Sequence, residues 1–150
     1  MNEERFNDEV KDLMRDAQQQ AVMNYNPELS TVHFLAAMCE QRDGFFPYLL
    51  KNLNVDTNAF NSEVKGLIKS IPSVKGTDRL SMSMGLARVF GLAEQAAGQG
   101  EINVSHLLGA MAGDGDTEVV ALCKKYGITK REVVSLYAKY QGGQDSDENK

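Results

Sequence analysis

The sequence predicts an all-α protein of eight helices, arranged as two pseudo-symmetric four-helix repeats packed as one domain. Three observations lead to this fold class. The stretch STVHFLAAM around His33 returns as NVSHLLGAM around His106, at an offset of 73 residues. Apolar residues recur at helical spacing through most of the chain. No segment shows the sustained alternation of apolar and polar residues that is typical of strands.

Size and composition favour one folded unit over two independent ones. Each half has about 70 residues, a length at which one core is marginal, so we expect the halves to bury their apolar faces on each other. The net charge of −5 and the lack of a basic cluster argue against nucleic-acid binding. No apolar run reaches membrane-spanning length and no secretory signal is recognisable, so we expect a cytoplasmic protein without a membrane partner.

The first repeat covers about residues 5–70 and starts with two helices. Apolar residues from Phe6 to Ala21 lie on one helical face, and Asn7 is a suitable N-cap. This helix should end before the turn-forming residues 24–27. Ser30 is the predicted N-cap of the second helix, which carries the first copy of the repeated histidine motif.

The third and fourth helices of this repeat are predicted at about residues 45–53 and 57–70. Pro47 fixes the start of the third helix, because proline fits the first turn of a helix and disrupts its interior. Residues 71–79, which contain a proline, a glycine and small polar side chains, predict the linker between the repeats.

The second repeat, about residues 80–141, follows the same plan. Its helices are predicted to begin at Ser83, at Asn103, at Asp116 or Thr117, and at Thr129. We therefore predict one domain over residues 1–143. The acidic residues 144–150 cannot bury a core and are expected to form a disordered tail or linker.

Chemical signals in the sequence are weak. No glycine-rich phosphate loop is present, and His33 and His106 lack the spacing of metal ligands, so we expect no catalytic residue, metal or cofactor. Each histidine is expected to hydrogen-bond locally at a helix start, although an enzyme working through the two histidines remains an alternative. Met82 and Met84 flank the cap Ser83, and methionine adapts to varied apolar partners.

The order of the motifs resembles the double Clp N-terminal domain, the mobile helical module of Clp-type AAA+ chaperones. The resemblance covers about residues 5–141. It rests on three patterns, each followed by a second copy: FN…LM…A at residues 6–17, S…HFL at 30–35 and LL…LNV at 49–55. Within that family, IPSVKG at residues 71–76 and YQGG at 140–143 resemble the ClpB disaggregases. The resemblance implies an isolated N-terminal domain or a fragment, non-enzymatic by itself, whose parent is an AAA+ ATPase.

The resemblance further implies a function in capturing exposed apolar segments of unfolded or aggregated proteins. Implied partners are these polypeptides, the protein's own AAA+ ring and, through the parent protein, a DnaK-type chaperone system. ClpV-like binding of one secretion-sheath helix, ClpC- or ClpA-like adaptor docking and a purely structural spacer remain alternatives. The substrate-binding residues implied by the resemblance are Phe6, Asn7, Phe90, Glu101, Ser105 and His106. Plain core packing is the alternative for Phe6 and Phe90.

One departure from the family pattern bears on specificity. ClpC-type relatives that recognise phosphorylated arginine carry a glutamate before each of the two matched histidines. Val32 and Ser105 occupy those positions here. Without carboxylates to match the guanidinium charge, we do not expect phosphoarginine capture.

Overall fold

Eight α-helices make up most of the part of the chain that the structure describes. The computed structural model describes the backbone of residues 3–76 and 79–148 and the side chains of these residues as far as 143. The helices and strands are a 3₁₀-helix at Glu3–Arg5, α1 Asp8–Met23, β1 Glu28–Leu29, α2 Thr31–Cys39, α3 Phe45–Asn52, α4 Thr57–Ser70, β2 Ser81–Met82, α5 Met84–Ala97, α6 Val104–Asp114, α7 Thr117–Lys125 and α8 Lys130–Glu148. The predicted all-α fold is confirmed.

Polar caps set the helix starts where the sequence predicted them. The first N–H groups of a helix have no partner within the helix, and a side-chain oxygen at the N-cap accepts from one of them. The Asn7 Oδ1 atom accepts from Val10 N at 3.0 Å, and Ser83 Oγ accepts from Leu86 N at 3.0 Å. Thr129 Oγ1 accepts from Glu132 N at 3.2 Å, which begins α8.

Both repeats contribute to one hydrophobic core. Helices α2 and α6 are its most buried elements, with α1 and α4 packed on α2 and with α5 and α8 packed on α6. The ring of Phe6, from repeat one, stacks on Phe90, from repeat two, at a centroid distance of 5.8 Å, and Phe34 meets Phe90 edge-on at the same distance. This shared interior is why neither repeat forms a separate lobe.

Backbone pairing joins the repeats at two symmetry-related places. Strands β1 and β2 are parallel, and Leu29 lies opposite Met82. An isolated bridge pairs Phe6 with Ile102, and the repeat offset makes it the counterpart of the first pairing. We call the two junctions the Met82 seam and the Phe6 seam. Two-residue strands are too short to produce alternation, so the sequence contained no signal for them.

A single carboxylate connects three helix starts across the repeats. The Asp116 Oδ2 atom accepts from Thr31 N at 2.8 Å, from Thr31 Oγ1 at 2.7 Å and from Ser83 Oγ at 3.0 Å. Asp116 N donates to Thr31 Oγ1 at 3.0 Å. Asp116 is the N-cap of α7, Thr31 begins α2 and Ser83 caps α5. A negative charge is favourable here, because helix N-termini carry partial positive charge.

Glycine allows this carboxylate to approach α5. A Cβ atom at Gly85 would lie 2.5 Å from Asp116 Oδ1. A similar contact in repeat one has the carboxylate on the first helix and the glycine on the third. Glu9 in α1 is the counterpart of Gly85, and a Cβ atom at Gly44, at the start of α3, would lie 2.8 Å from Glu9 Oε2. Burial raises the pKa of the Glu9 carboxyl, although the N–H of Phe45 donates to it and partly offsets the effect.

The C-terminal segment differs from the expectation. Helix α8 continues through Gly142 and Gly143 to Glu148, so residues 144–148 are helical, and residues 149 and 150 lie outside the described part. A helix that is already nucleated adds one hydrogen bond for each further residue, which favours its extension. The placement of the domain boundary at residue 143 stays a prediction.

Replacement of Gly85 by alanine tests the three-helix junction. The added Cβ would displace the Asp116 carboxylate from Thr31 and Ser83, so we expect a loss of roughly 1–3 kcal/mol in the free energy of unfolding. Gly91 is the matched control on the same helix, because a Cβ added there would have no atom within 4 Å, and Gly91→Ala should gain about 0.5–1 kcal/mol. Urea unfolding of both variants measures the difference, and a similar stabilisation in both would contradict the junction.

Candidate functional site

The first repeated histidine is a buried structural cap. Ser30 N donates to His33 Nδ1 at 3.0 Å, so the neutral ring carries its proton on Nε2 and donates to Asn26 Oδ1 at 2.8 Å. Burial lowers the pKa of the His33 imidazole to about 4. The predicted local hydrogen bond is confirmed, and the ring closes a capping box in which histidine takes the usual place of Glu or Gln.

The second histidine makes the same bond in a more open setting. Asn103 N donates to His106 Nδ1 at 3.0 Å, and Asn103 Oδ1 accepts from Ser105 N at 2.9 Å and from Ser105 Oγ at 2.6 Å. Desolvation lowers the pKa of the half-buried His106 imidazole. Ser105 is buried within this cap. The two histidines therefore hold helix starts in each repeat.

The structure brings the six predicted site residues together at the Phe6 seam, but in different environments. Phe6 is 0% exposed and Phe90 is 2% exposed, so both rings lie in the core. Asn7 is half-buried as the cap of α1, and Glu101 is exposed next to the Phe6–Ile102 bridge. Asn7, Glu101 and His106 therefore supply polar groups with solvent access at this seam.

An open groove lies beside the other seam. It has a volume of about 380 Å³, and its apolar wall consists of Leu67, Ile71 and Pro72 at the end of α4. Glu28 and Glu118 line it as well, together with the half-buried Asp116. We call this depression the Met82 groove, because its lining residues Glu28 and Ser30 flank Leu29, which pairs with Met82.

Two exposed methionines lie at or next to the Met82 seam. Met82 is 42% exposed and pairs with Leu29, whose chain neighbours Glu28 and Ser30 line the groove. Met84 is 83% exposed and follows Ser83, which donates to Asp116. The sequence indicated that these methionines are adaptable apolar side chains. It did not identify the groove itself, whose walls come from distant parts of the chain.

Aromatic residues fill the corresponding place at the Phe6 seam. The positions that match Leu67 and Glu118 are Tyr140 and Phe45, and these rings lie 5.7 Å apart. Tyr137 meets Phe45 edge-on at 5.0 Å. This cluster packs α8 against α3. Comparison of matched positions in the two repeats could have revealed this difference from the sequence.

Signs of other chemistry are weak among the described residues. No group of three or more histidine, cysteine or acidic residues is placed to hold a metal ion in residues 3–76 and 79–148. Burial raises the pKa of both thiols, Cys39 and Cys123, to about 12, so neither supplies a thiolate near neutral pH. Within the same ranges, no helix has the length and apolar character to cross a membrane.

The family model of the Clp repeat (R) N-terminal domain matches residues 5–135. The chain belongs to this family. It is 29% identical over 148 residues to the chaperone protein ClpB of Bdellovibrio bacteriovorus, an alignment that covers 93% of this chain and 17% of the relative. The chain thus spans about a sixth of the length of that ClpB protein.

Solved structures share the fold. The Hsp104 N-terminal domain from Candida albicans superposes with a TM-score of 0.77 at 21% identity, covering 91% of each chain. A ClpV N-domain, solved in complex with a VipB peptide, gives a TM-score of 0.63 at 18% identity and covers 86% of this chain and 82% of that one. The Clp repeat is thus shared by N-terminal domains of several Clp and Hsp100 ATPases.

The buried His33 predicts a specific pH dependence of stability. The unfolded chain binds a proton at about pH 6.5 and the folded chain only near pH 4, so stability is lost as the pH falls between these values. We expect a loss of up to roughly 3 kcal/mol, with no effect above pH 7. The His33→Gln variant keeps an acceptor for Ser30 N but does not titrate. Urea unfolding at pH 7 and pH 4.5 compares the two, and an equally large loss in His33→Gln would contradict the assignment.

Proposed function

We propose that this chain captures exposed apolar segments of unfolded or aggregated polypeptides as the N-terminal domain of a ClpB-like disaggregase. The observation that carries the proposal is the Met82 groove, an open depression with an apolar wall at the junction of the two repeats. Family membership and the ClpB relative support it. Delivery to the protein's own AAA+ ring, cooperation with a DnaK-type system and a cytoplasmic location belong to the same proposal.

The chemistry of the groove suits transient capture rather than tight binding. Its wall of Leu67, Ile71 and Pro72 offers a small apolar area, and Met82 and Met84 can adjust to different side chains. Ordering a flexible polypeptide costs conformational entropy, which such an area offsets only in part. Weak binding lets a chaperone release one segment and take another.

The Phe6 seam is proposed as a secondary, polar contact surface. Asn7, Glu101 and His106 have solvent access there, whereas Phe6 and Phe90 support the seam from the core. A passing polypeptide can exchange hydrogen bonds with these polar groups. We do not propose apolar capture at this seam, because its aromatic rings are already packed.

An NMR titration with a permanently unfolded model protein tests the proposed capture. We expect amide shifts in fast exchange that cluster around Leu67, Ile71 and Met84, because weak binding gives rapid dissociation. The same model protein in its folded state serves as the control and should cause no shifts. Equal shifts with the folded protein, or none with the unfolded one, would refute capture.

Met84→Gln should weaken binding of the unfolded protein roughly fivefold, because it removes a solvent-exposed apolar contact worth about 1 kcal/mol. Met23→Gln is the matched control: Met23 is 73% exposed at the end of α1 and does not line the groove. Both variants should unfold like the unmodified chain. If Met23→Gln alone weakened binding, capture would occur at a different surface, and a strict preference for one defined helix would favour ClpV-like recognition.

A further inference from the structure

The rim of the Met82 groove carries two carboxylates that form no salt bridge within the described part of the chain. Glu28 and Glu118 both line the groove and are exposed. Within residues 3–76 and 79–143, the salt bridges involve other acidic residues, namely Asp12, Asp16 and Glu63. These two carboxylates therefore present negative charge to anything that enters the groove.

The third acidic residue of the groove, Asp116, is already neutralised by its own contacts. Its carboxylate accepts three hydrogen bonds from Thr31 and Ser83 and lies at three helix N-termini. Those N-termini carry partial positive charge that would otherwise attract an anion into the groove. With Asp116 in place, the two exposed carboxylates dominate the local field.

The end of α4 supplies the apolar wall beside these carboxylates. Leu67 and Ser70 line the groove in the last turn of that helix, which ends at Ser70. The last carbonyl groups of a helix carry partial negative charge, which Lys69 in the same turn offsets. An apolar wall therefore lies directly beside a rim that carries two exposed carboxylates.

We infer that the Met82 groove selects apolar segments that carry Lys or Arg beside the apolar residues. This inference rests on the proposed capture of polypeptides and names the class of segment captured. The apolar side chain would contact Leu67, Ile71 and Pro72, and the cationic side chains would lie against Glu28 and Glu118. The equivalent of Glu118 at the Phe6 seam is Phe45, so that seam lacks this pair of carboxylates.

Three peptides with one shared apolar centre test the selection: one flanked by lysines, one by serines and one by glutamates. Affinities are measured by NMR titration at low and high salt. We expect the lysine-flanked peptide to bind roughly fivefold more tightly than the serine-flanked one at low salt, with the difference shrinking at high salt. The glutamate-flanked peptide should bind most weakly.

The double variant Glu28→Gln/Glu118→Gln should remove this preference and keep affinity for the serine-flanked peptide. The control is the double variant Glu3→Gln/Asp43→Asn, because it also removes two exposed carboxylates, neither of which lines the groove. It should keep the preference. All variants alter exposed side chains, and their free amide spectra verify that the fold is unchanged.

The outcomes distinguish failure of the inference alone from failure of the proposed function as well. Equal binding of all three peptides, or a preference lost in Glu3→Gln/Asp43→Asn instead, would overturn the inference while capture itself stands. If no peptide binds, both fail. Concentration-dependent shifts around Leu67 without any peptide would mean that a second copy of the chain covers the groove, and would also overturn it.

Discussion

The fold depends on the convergence of three helix starts on the Asp116 carboxylate. Helix α2 of repeat one and helices α5 and α7 of repeat two begin at this point, and each would otherwise leave partly buried N–H or O–H groups without partners. Hydrogen bonds to a charged acceptor are worth about 1.5–3 kcal/mol each. Thr31, which is fully buried, has Asp116 as a partner for both its backbone and its side chain. Asp116 thus adds a polar connection to the shared core and the two seams that join the repeats.

The repeat creates two equivalent seams that differ in packing. At the Phe6 seam, the rings of Phe45, Tyr137 and Tyr140 fill the space between α3 and α8. At the Met82 seam, the matched positions hold smaller or charged side chains, and a groove remains between α4 and α7. A packed seam provides rigidity, whereas an open seam provides a surface for a partner. This division of roles accounts for a stable module that still presents an apolar depression.

Local features of the sequence predicted most of the fold, whereas the sequence did not predict the long-range contacts. The caps Asn7, Ser30 and Ser83 and the repeated histidines were readable because caps depend on neighbours within three residues. Phe6, which the resemblance implied as a substrate contact, is buried against Phe90 of the other repeat, and its role in binding stays a prediction. The bond from Asp116 to Thr31 spans 85 residues, so no local pattern indicated it.

Native-state hydrogen exchange tests most directly whether the two repeats form one cooperative unit joined at Asp116. The account predicts that the slowest amides of α2 and α6 exchange through the same global opening, with one common free energy and one denaturant dependence. It also predicts that Asp116→Ala lowers both by the same amount, roughly 2 kcal/mol or more. Loss of protection confined to one repeat, with the other unchanged, would contradict the account.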